Sequence, residues 1–162
     1  MIEEPKGQIL PGSPFGDMLT SLAKRSEVIV EIGTWHGLGS TLCLSKGLVR
    51  DSQRMWTFEA DKRVSAEAKG YYTDPRIEFV PTRFLDSVHL LPSVIDLILF
   101  DGSDEETDAE FDYISPFCRV IALDDTNERK NRRQRQTLID TGWHILADYP
   151  HERHGWFIAE RP

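Results

Sequence analysis

The chain has 162 residues, of which 40% are hydrophobic and 28% charged, with a formal net charge of −8. That length suits one domain with a full core and leaves little for a separate substrate domain. The composition is that of a soluble globular protein, no apolar run approaches the ~20 residues of a membrane span, and the acidic balance argues against general nucleic-acid binding, which needs a basic face.

The opening Met1-Ile2-Glu3-Glu4-Pro5-Lys6 lacks the basic-then-apolar layout of a secretory signal. Residues 1–26 read as a lead, with Pro11-Gly12-Ser13-Pro14 running into a short helix over 15–24. Residues 27–162 read as the main domain. Within it, 27–32 is the first strand, and 38–48 a helix with Gly47 near its end. A short aromatic strand follows over 54–58, then a helix over 61–71 and a third strand over 76–80. A short helix over 84–91 stops at Pro92. The run Ile95-Asp96-Leu97-Ile98-Leu99-Phe100 is nearly all apolar, as suits a central parallel strand buried on both faces. Ser103-Asp104-Glu105-Glu106 has the form of a capping box opening the next helix. A fifth strand covers 119–123, and a helix over 128–140 ends at Gly142. Two closing strands, 143–148 and 155–160, flank the turn Tyr149-Pro150-His151-Glu152.

Alternation of strands and helices predicts a doubly wound, Rossmann-like α/β domain. The last two strands are too close in sequence for a parallel crossover, so they form an antiparallel hairpin on a mostly parallel seven-stranded sheet. Cys43 and Cys118 fall in a helix and a strand, as reduced core residues of a cytoplasmic protein.

The chemistry concentrates at the ends of the strands. After the first strand comes Glu31-Ile32-Gly33-Thr34-Trp35-His36-Gly37-Leu38-Gly39-Ser40, a glycine-rich turn of the kind that meets nucleotides in such folds. A dinucleotide fingerprint, Gly-x-Gly-x-x-Gly, brings backbone against a pyrophosphate. Here the only Gly-x-Gly is Gly37-Leu38-Gly39 and the third position is Leu42, so the loop suits an adenosine cofactor without phosphates. Glu59 ends the second strand about 26 residues beyond Gly33, where a carboxylate can accept from both ribose hydroxyls. The competing role is a plain strand end, with Asp61 capping the next helix.

Asp101 ends the fourth strand and Asp124-Asp125 the fifth. As neighbouring strands ~4.8 Å apart, they bring three carboxylates together. Two like charges ~4 Å apart at an effective dielectric of ~20 repel by roughly 4 kcal/mol. A divalent cation, a raised pKa or a cationic partner must offset this, and hard cations such as Mg²⁺ favour such oxygen ligands. The remaining carboxylates between 101 and 112 read as a solvated face at a helix start. The basic run Arg129-Lys130-Asn131-Arg132-Arg133-Gln134-Arg135 reads as a solvent-facing helix over Leu138 and Ile139, or as a patch for an anionic substrate group or a partner subunit. His36 lies in the glycine loop beside Trp35. His144, His151 and His154 gather near the last hairpin without the ligand spacing of a zinc site. Gly-x-Ser-x-Gly is absent, so no Ser/His/Asp triad is argued.

Taken in order, these residues resemble class I S-adenosylmethionine-dependent methyltransferases, most closely the catechol- and caffeoyl-CoA-type O-methyltransferases and their small bacterial relatives. The motif is Glu31-x-Gly33-x-x-x-Gly37, then Glu59, Asp101 and Asp124-Asp125, within a resemblance over residues 15–162. It implies a cofactor site of Glu31, Gly33, Thr34, Trp35, Gly37, Ser40, Glu59, Ala60, Thr82, Arg83 and Asp101. Gly33 and Gly37 lie against the methionine part, Glu59 holds the ribose, and Thr82 and Arg83 flank the adenine. It also implies a Mg²⁺ or other divalent cation on Asp101, Asp124 and Asp125, with Asp101 and Asp125 catalytic. Two positions depart from the pattern: the lysine base expected three residues past the strand-four aspartate is Asp104 here, and the serine expected after the second glycine falls on Gly39, with Ser40 next.

The implied activity is methylation of a small-molecule hydroxyl with metal assistance (EC 2.1.1.-). The rivals are a metal-free methyltransferase, a non-catalytic S-adenosylmethionine-binding module, and a nicotinamide-dependent oxidoreductase, which the broken fingerprint opposes. So compact a catalytic domain also invites a homodimer in which a second subunit lends pocket walls.

Overall fold

A computed structural model describes residues 7–162; the opening residues 1–6 lie outside the described residues. The elements run α1 (Pro14–Arg25), β1 (Val28–Ile32), α2 (Ser40–Ser45), β2 (Arg54–Phe58), α3 (Lys62–Gly70), β3 (Ile77–Val80), α4 (Phe84–Ser87), β4 (Ile95–Phe100), α5 (Thr107–Ile114), β5 (Cys118–Asp124), α6 (Arg129–Asp140), β6 (His144–Tyr149) and β7 (Trp156–Glu160). The seven strands form one sheet in the order β3-β2-β1-β4-β5-β7-β6. The first five are parallel, while β7 pairs antiparallel with both β5 and β6. This is the expected doubly wound fold with its closing hairpin. The order reverses between β1 and β4, where such sheets open a crevice at their carboxyl ends.

Strand periodicity divides the core into two layers. Ile29, Leu97, Leu99 and Ala122 join Phe15, Leu19, Leu22 and Leu44 of α1 and α2 on one face. Val30, Ile98, Phe100, Ile121 and Leu123 join Phe84, Phe111, Ile114 and Leu138 of α4, α5 and α6 on the other. Burial of β4 on both faces accounts for its unbroken apolar run. Cys43 and Cys118 are buried and unpaired, and burial pushes each thiol up to about 12. Among the described residues no helix is long and apolar enough to cross a membrane.

Element ends are set by local chemistry. Ser13 caps α1 by accepting from the Gly16 N–H at 3.1 Å, with Pro14 at the first helical position. Asp61 caps α3 through the N–H groups of Arg63 and Val64.

Two expectations need correction. The predicted capping box at Ser103–Glu106 does not form: α5 starts at Thr107, whose Oγ1 donates to the Ser103 carbonyl at 2.6 Å. Glu106, which a capping box would turn back on Ser103, instead pairs with Arg83 at 3.2 Å. Strand β5 runs one residue further at each end than predicted, so Asp124 is its last residue and is 1% exposed. Asp125 then turns the chain with φ 52°.

Candidate functional site

At the carboxyl ends of β1, β2, β4 and β5 lies a cavity of about 580 Å³, within the range of small-molecule and cofactor sites. One wall starts at Gly33, whose N–H donates to the Phe58 carbonyl at 3.0 Å as the chain leaves β1. Gly33 has φ 98°, and a Cβ there would overlap the carbonyl of Asp101. Glycine is therefore required both by the backbone turn and by the close approach of β4.

Glu59 follows β2. One oxygen accepts from the Trp35 N–H at 3.0 Å and the other from the Asp61 N–H at 3.0 Å. Both bonds orient the carboxylate while leaving lone pairs on each oxygen. Asp61 caps α3, and Glu59 lines the cavity. Trp35 stands at the mouth, 55% exposed and edge-on to His36.

Gly33, Trp35, Glu59, Ala60, Thr82, Arg83 and Asp101 line this cavity together; Glu31, Thr34, Gly37 and Ser40 are not on its wall. Their surroundings explain why. Glu31 is fully buried beneath α2, accepting from the hydroxyls of Thr41 and Thr57, each at 2.6 Å. Burial raises its pKa, opposed by the hydroxyls of Ser40, Thr41 and Thr57. Thr34 places its hydroxyl against that of Thr57. The Gly37 carbonyl accepts from Tyr72, and a Cβ on Gly37 would press on Ala68 of α3. These residues shape the loop from behind.

The other side of the cavity holds the acids. Carboxylate oxygens of Asp101, Asp124 and Asp125 lie within 4.8 Å of one another, as the strand order predicts. Two cations sit among them. Lys130 Nζ lies 3.0 Å from Asp101 Oδ1 and 2.9 Å from Asp125 Oδ2, with its side chain 10% exposed. Arg153, in the turn between β6 and β7, pairs with Asp124 Oδ1. Burial raises the pKa of Asp101 against the pull of Lys130. Burial and the neighbouring Asp101 raise that of Asp124 against the pull of Arg153. Burial works against the Lys130 ammonium, but Asp101 and Asp125 outweigh it and push its pKa up. Both of the metal-free ways of relieving the cluster's repulsion are therefore present.

The reading of 129–135 as a solvent-facing run holds for Arg129, Arg132 and Arg133, which are exposed, and fails at Lys130. The cause is Asn131. Its buried amide donates to the carbonyls of Phe100 at 3.1 Å and Asp124 at 2.6 Å, pinning the first turn of α6 across the ends of β4 and β5. With Asn131 fixed inward, the preceding residue reaches the carboxylates. Gln134, three residues on from Asn131, is buried and donates to Asp108. The inward stripe of Asn131, Gln134 and Leu138 was legible at helical spacing; Arg153 carried no such signal.

Glu110 was also missed. It falls in the acid-rich run read as solvated, yet it is 3% exposed and lines the cavity, with Oε2 lacking a hydrogen-bond partner. Burial, helped by Glu106, lifts its pKa to about 7. Two histidines of the sequence reading make only exposed pairs, His36 with Glu67 and His154 with Glu128.

Residues 30–126 match the family model of the methyltransferase domain, more than half of the chain. The chain belongs to this methyltransferase family, in keeping with its resemblance to class I S-adenosylmethionine-dependent enzymes. Solved structures share the fold. An O-methyltransferase from Bacillus cereus in complex with SAH is 22% identical, with a TM-score of 0.72, covering 94% of this chain and 84% of that one. Cofactor-bound Rv0187 from MTB is 22% identical, with a TM-score of 0.78, covering 98% and 84%. The O-methyltransferase TomG from Streptomyces achromogenes, in complex with SAM, is 17% identical, with a TM-score of 0.73, covering 94% and 82%. A search of the curated proteins finds no match to this sequence.

Proposed function

We propose that the protein transfers a methyl group from S-adenosylmethionine to the hydroxyl of a small molecule. The observation that carries this reading is one cavity shared by Gly33 and Glu59 on one side and by Asp101, Asp125 and Lys130 on the other. Glu59 fits a ribose diol, because its oxygens are held by two backbone N–H groups and still have lone pairs to offer. Ala60, Thr82 and Arg83 continue that wall and support an adenine beside them. The O-methyltransferase neighbours are consistent with a hydroxyl acceptor, and TomG and the Bacillus cereus protein were solved with SAM and SAH.

A divalent cation fits this site poorly. The three carboxylates offer the right donors, but Lys130 bonds two of them and Arg153 the third. The mechanism is therefore derived from the chain's own groups. S-adenosylmethionine, when bound, supplies a methyl group on an already activated sulfonium. The protein's part is to hold the acceptor hydroxyl in line and to take its proton. Asp101, on the cavity wall and held by Lys130, accepts that proton as the oxygen's lone pair forms the new O–CH₃ bond, the S–CH₃ bond breaks with its electrons going to sulfur, and S-adenosylhomocysteine is the leaving group. Asp125 holds the other side of the Lys130 ammonium and so keeps the charge in place. Asp101 thus fills the role left open by Asp104, which stands where the resembled enzymes carry a lysine.

The direct test is transfer of labelled methyl from S-adenosylmethionine to a panel of phenols and alcohols. Label transferred to oxygen, and lost in Asp101→Asn, supports the reading. Binding of the cofactor without transfer to any acceptor would favour the non-catalytic binding module.

A further inference from the structure

Resting on that reading, we infer that Lys130 is the resident cation of the acceptor site, standing where a divalent metal would otherwise be held, and that it binds the acceptor oxygen directly. Its ammonium has three donors. Two are used on Asp101 Oδ1 at 3.0 Å and Asp125 Oδ2 at 2.9 Å, and the Gly102 carbonyl, at 3.4 Å, is a distant partner for the third. That third donor belongs to a residue on the cavity wall, so an acceptor oxygen entering there can replace the long bond to Gly102 with a shorter one. A neutral hydroxyl gains little from such a contact, whereas an oxygen losing its proton gains a charge-assisted bond.

The placement is built into the fold. Asn131 ties α6 to the last carbonyls of β4 and β5, which sets Lys130 between the aspartates that end those strands. Arg153 occupies Asp124 independently from the β6–β7 turn. Three carboxylates and two cations leave one negative charge, so a divalent ion would have to compete with Lys130 and Arg153 for the carboxylates they already bond. An ammonium is also a compact charge that hydrogen-bonds without needing an octahedral ligand shell.

Manganese alone is a sufficient probe, read by electron paramagnetic resonance on the purified protein, with S-adenosylhomocysteine titrated calorimetrically into the same sample. The wild-type protein is expected to show no saturable Mn²⁺ site and an S-adenosylhomocysteine isotherm unchanged by EDTA. Lys130→Met, which removes the ammonium but keeps an apolar stem, is expected to gain Mn²⁺ affinity at least tenfold and to lose it again on adding Asp125→Asn. A saturable Mn²⁺ site in the wild-type protein that disappears in Asp125→Asn would overturn the inference. That comparison uses no Lys130 variant, so it stands even if Lys130→Met fails to fold. Failure of S-adenosylhomocysteine to bind the wild type would instead count against the methyltransferase reading itself.

Discussion

The two sides of the cavity are built in different ways. One wall is set by backbone: Gly33 and Trp35 follow one strand, Glu59 follows the next, and the N–H groups of Trp35 and Asp61 orient its carboxylate. The other wall is set by side-chain ion pairs between separate elements: Asp101 meets Lys130 of α6, and Asp124 meets Arg153 of the β6–β7 turn. Spacing along a chain therefore reveals the first kind of site, whereas the second depends on how a helix and a hairpin are docked. The sides should also fail differently, one in binding and the other in turnover.

Mutations can press on that division. The largest effect is expected from Asp101→Asn, which removes the proton acceptor but keeps the shape. Methyl transfer should fall by about 10²–10⁴, while affinity for S-adenosylhomocysteine, read by calorimetry, changes by less than about fivefold. Loss of both together would break the proposed separation. Gly33→Ala tests the hinge between the two sides, because its Cβ must displace the Asp101 carbonyl from a left-handed backbone. A loss of about 3 kcal/mol in thermal or denaturant unfolding is expected.

Glu59→Ala removes the bonds to Trp35 and Asp61 and the ribose acceptor together. It should weaken S-adenosylhomocysteine about 10–100-fold, with turnover at saturating cofactor much less affected. The smallest effect belongs to Glu110. Its folded-state pKa, about 7, lies above the ordinary 4.5, so the folded protein binds the extra proton between those values. That stabilisation is complete below about pH 4.5 and is lost as pH rises through 7. Glu110→Gln keeps a neutral side chain throughout, and it should flatten the fall in stability by about 2 kcal/mol between pH 5 and 8 in denaturant titrations.

The sequence reading succeeds and fails along the same line. Strands β2 and β4 fall where their apolar runs predict, and the parallel sheet with its closing hairpin follows from the alternation of strands and helices. Asp101, Asp124 and Asp125 come together because they end adjacent strands. Glu31 and Gly37 carry the motif yet are not on the cavity wall: Glu31 turns to Thr41 and Thr57, and the Gly37 carbonyl to Tyr72. Lys130 was hidden in a run of basic residues whose rotation about the helix axis is fixed by Asn131, a contact made 31 positions away with Phe100. Glu106 has the spacing of a cap and instead pairs with Arg83 at 3.2 Å.

The central claim, that the glycine turn and Glu59 form an adenosine site without a pyrophosphate cradle, is met most directly by one competition. S-adenosylhomocysteine and NADH are titrated separately into the wild-type protein and into Glu59→Ala. The account predicts a single saturable site for S-adenosylhomocysteine that weakens in the variant, and at least tenfold weaker binding of NADH. Tighter binding of NADH, or S-adenosylhomocysteine binding indifferent to Glu59, would contradict it.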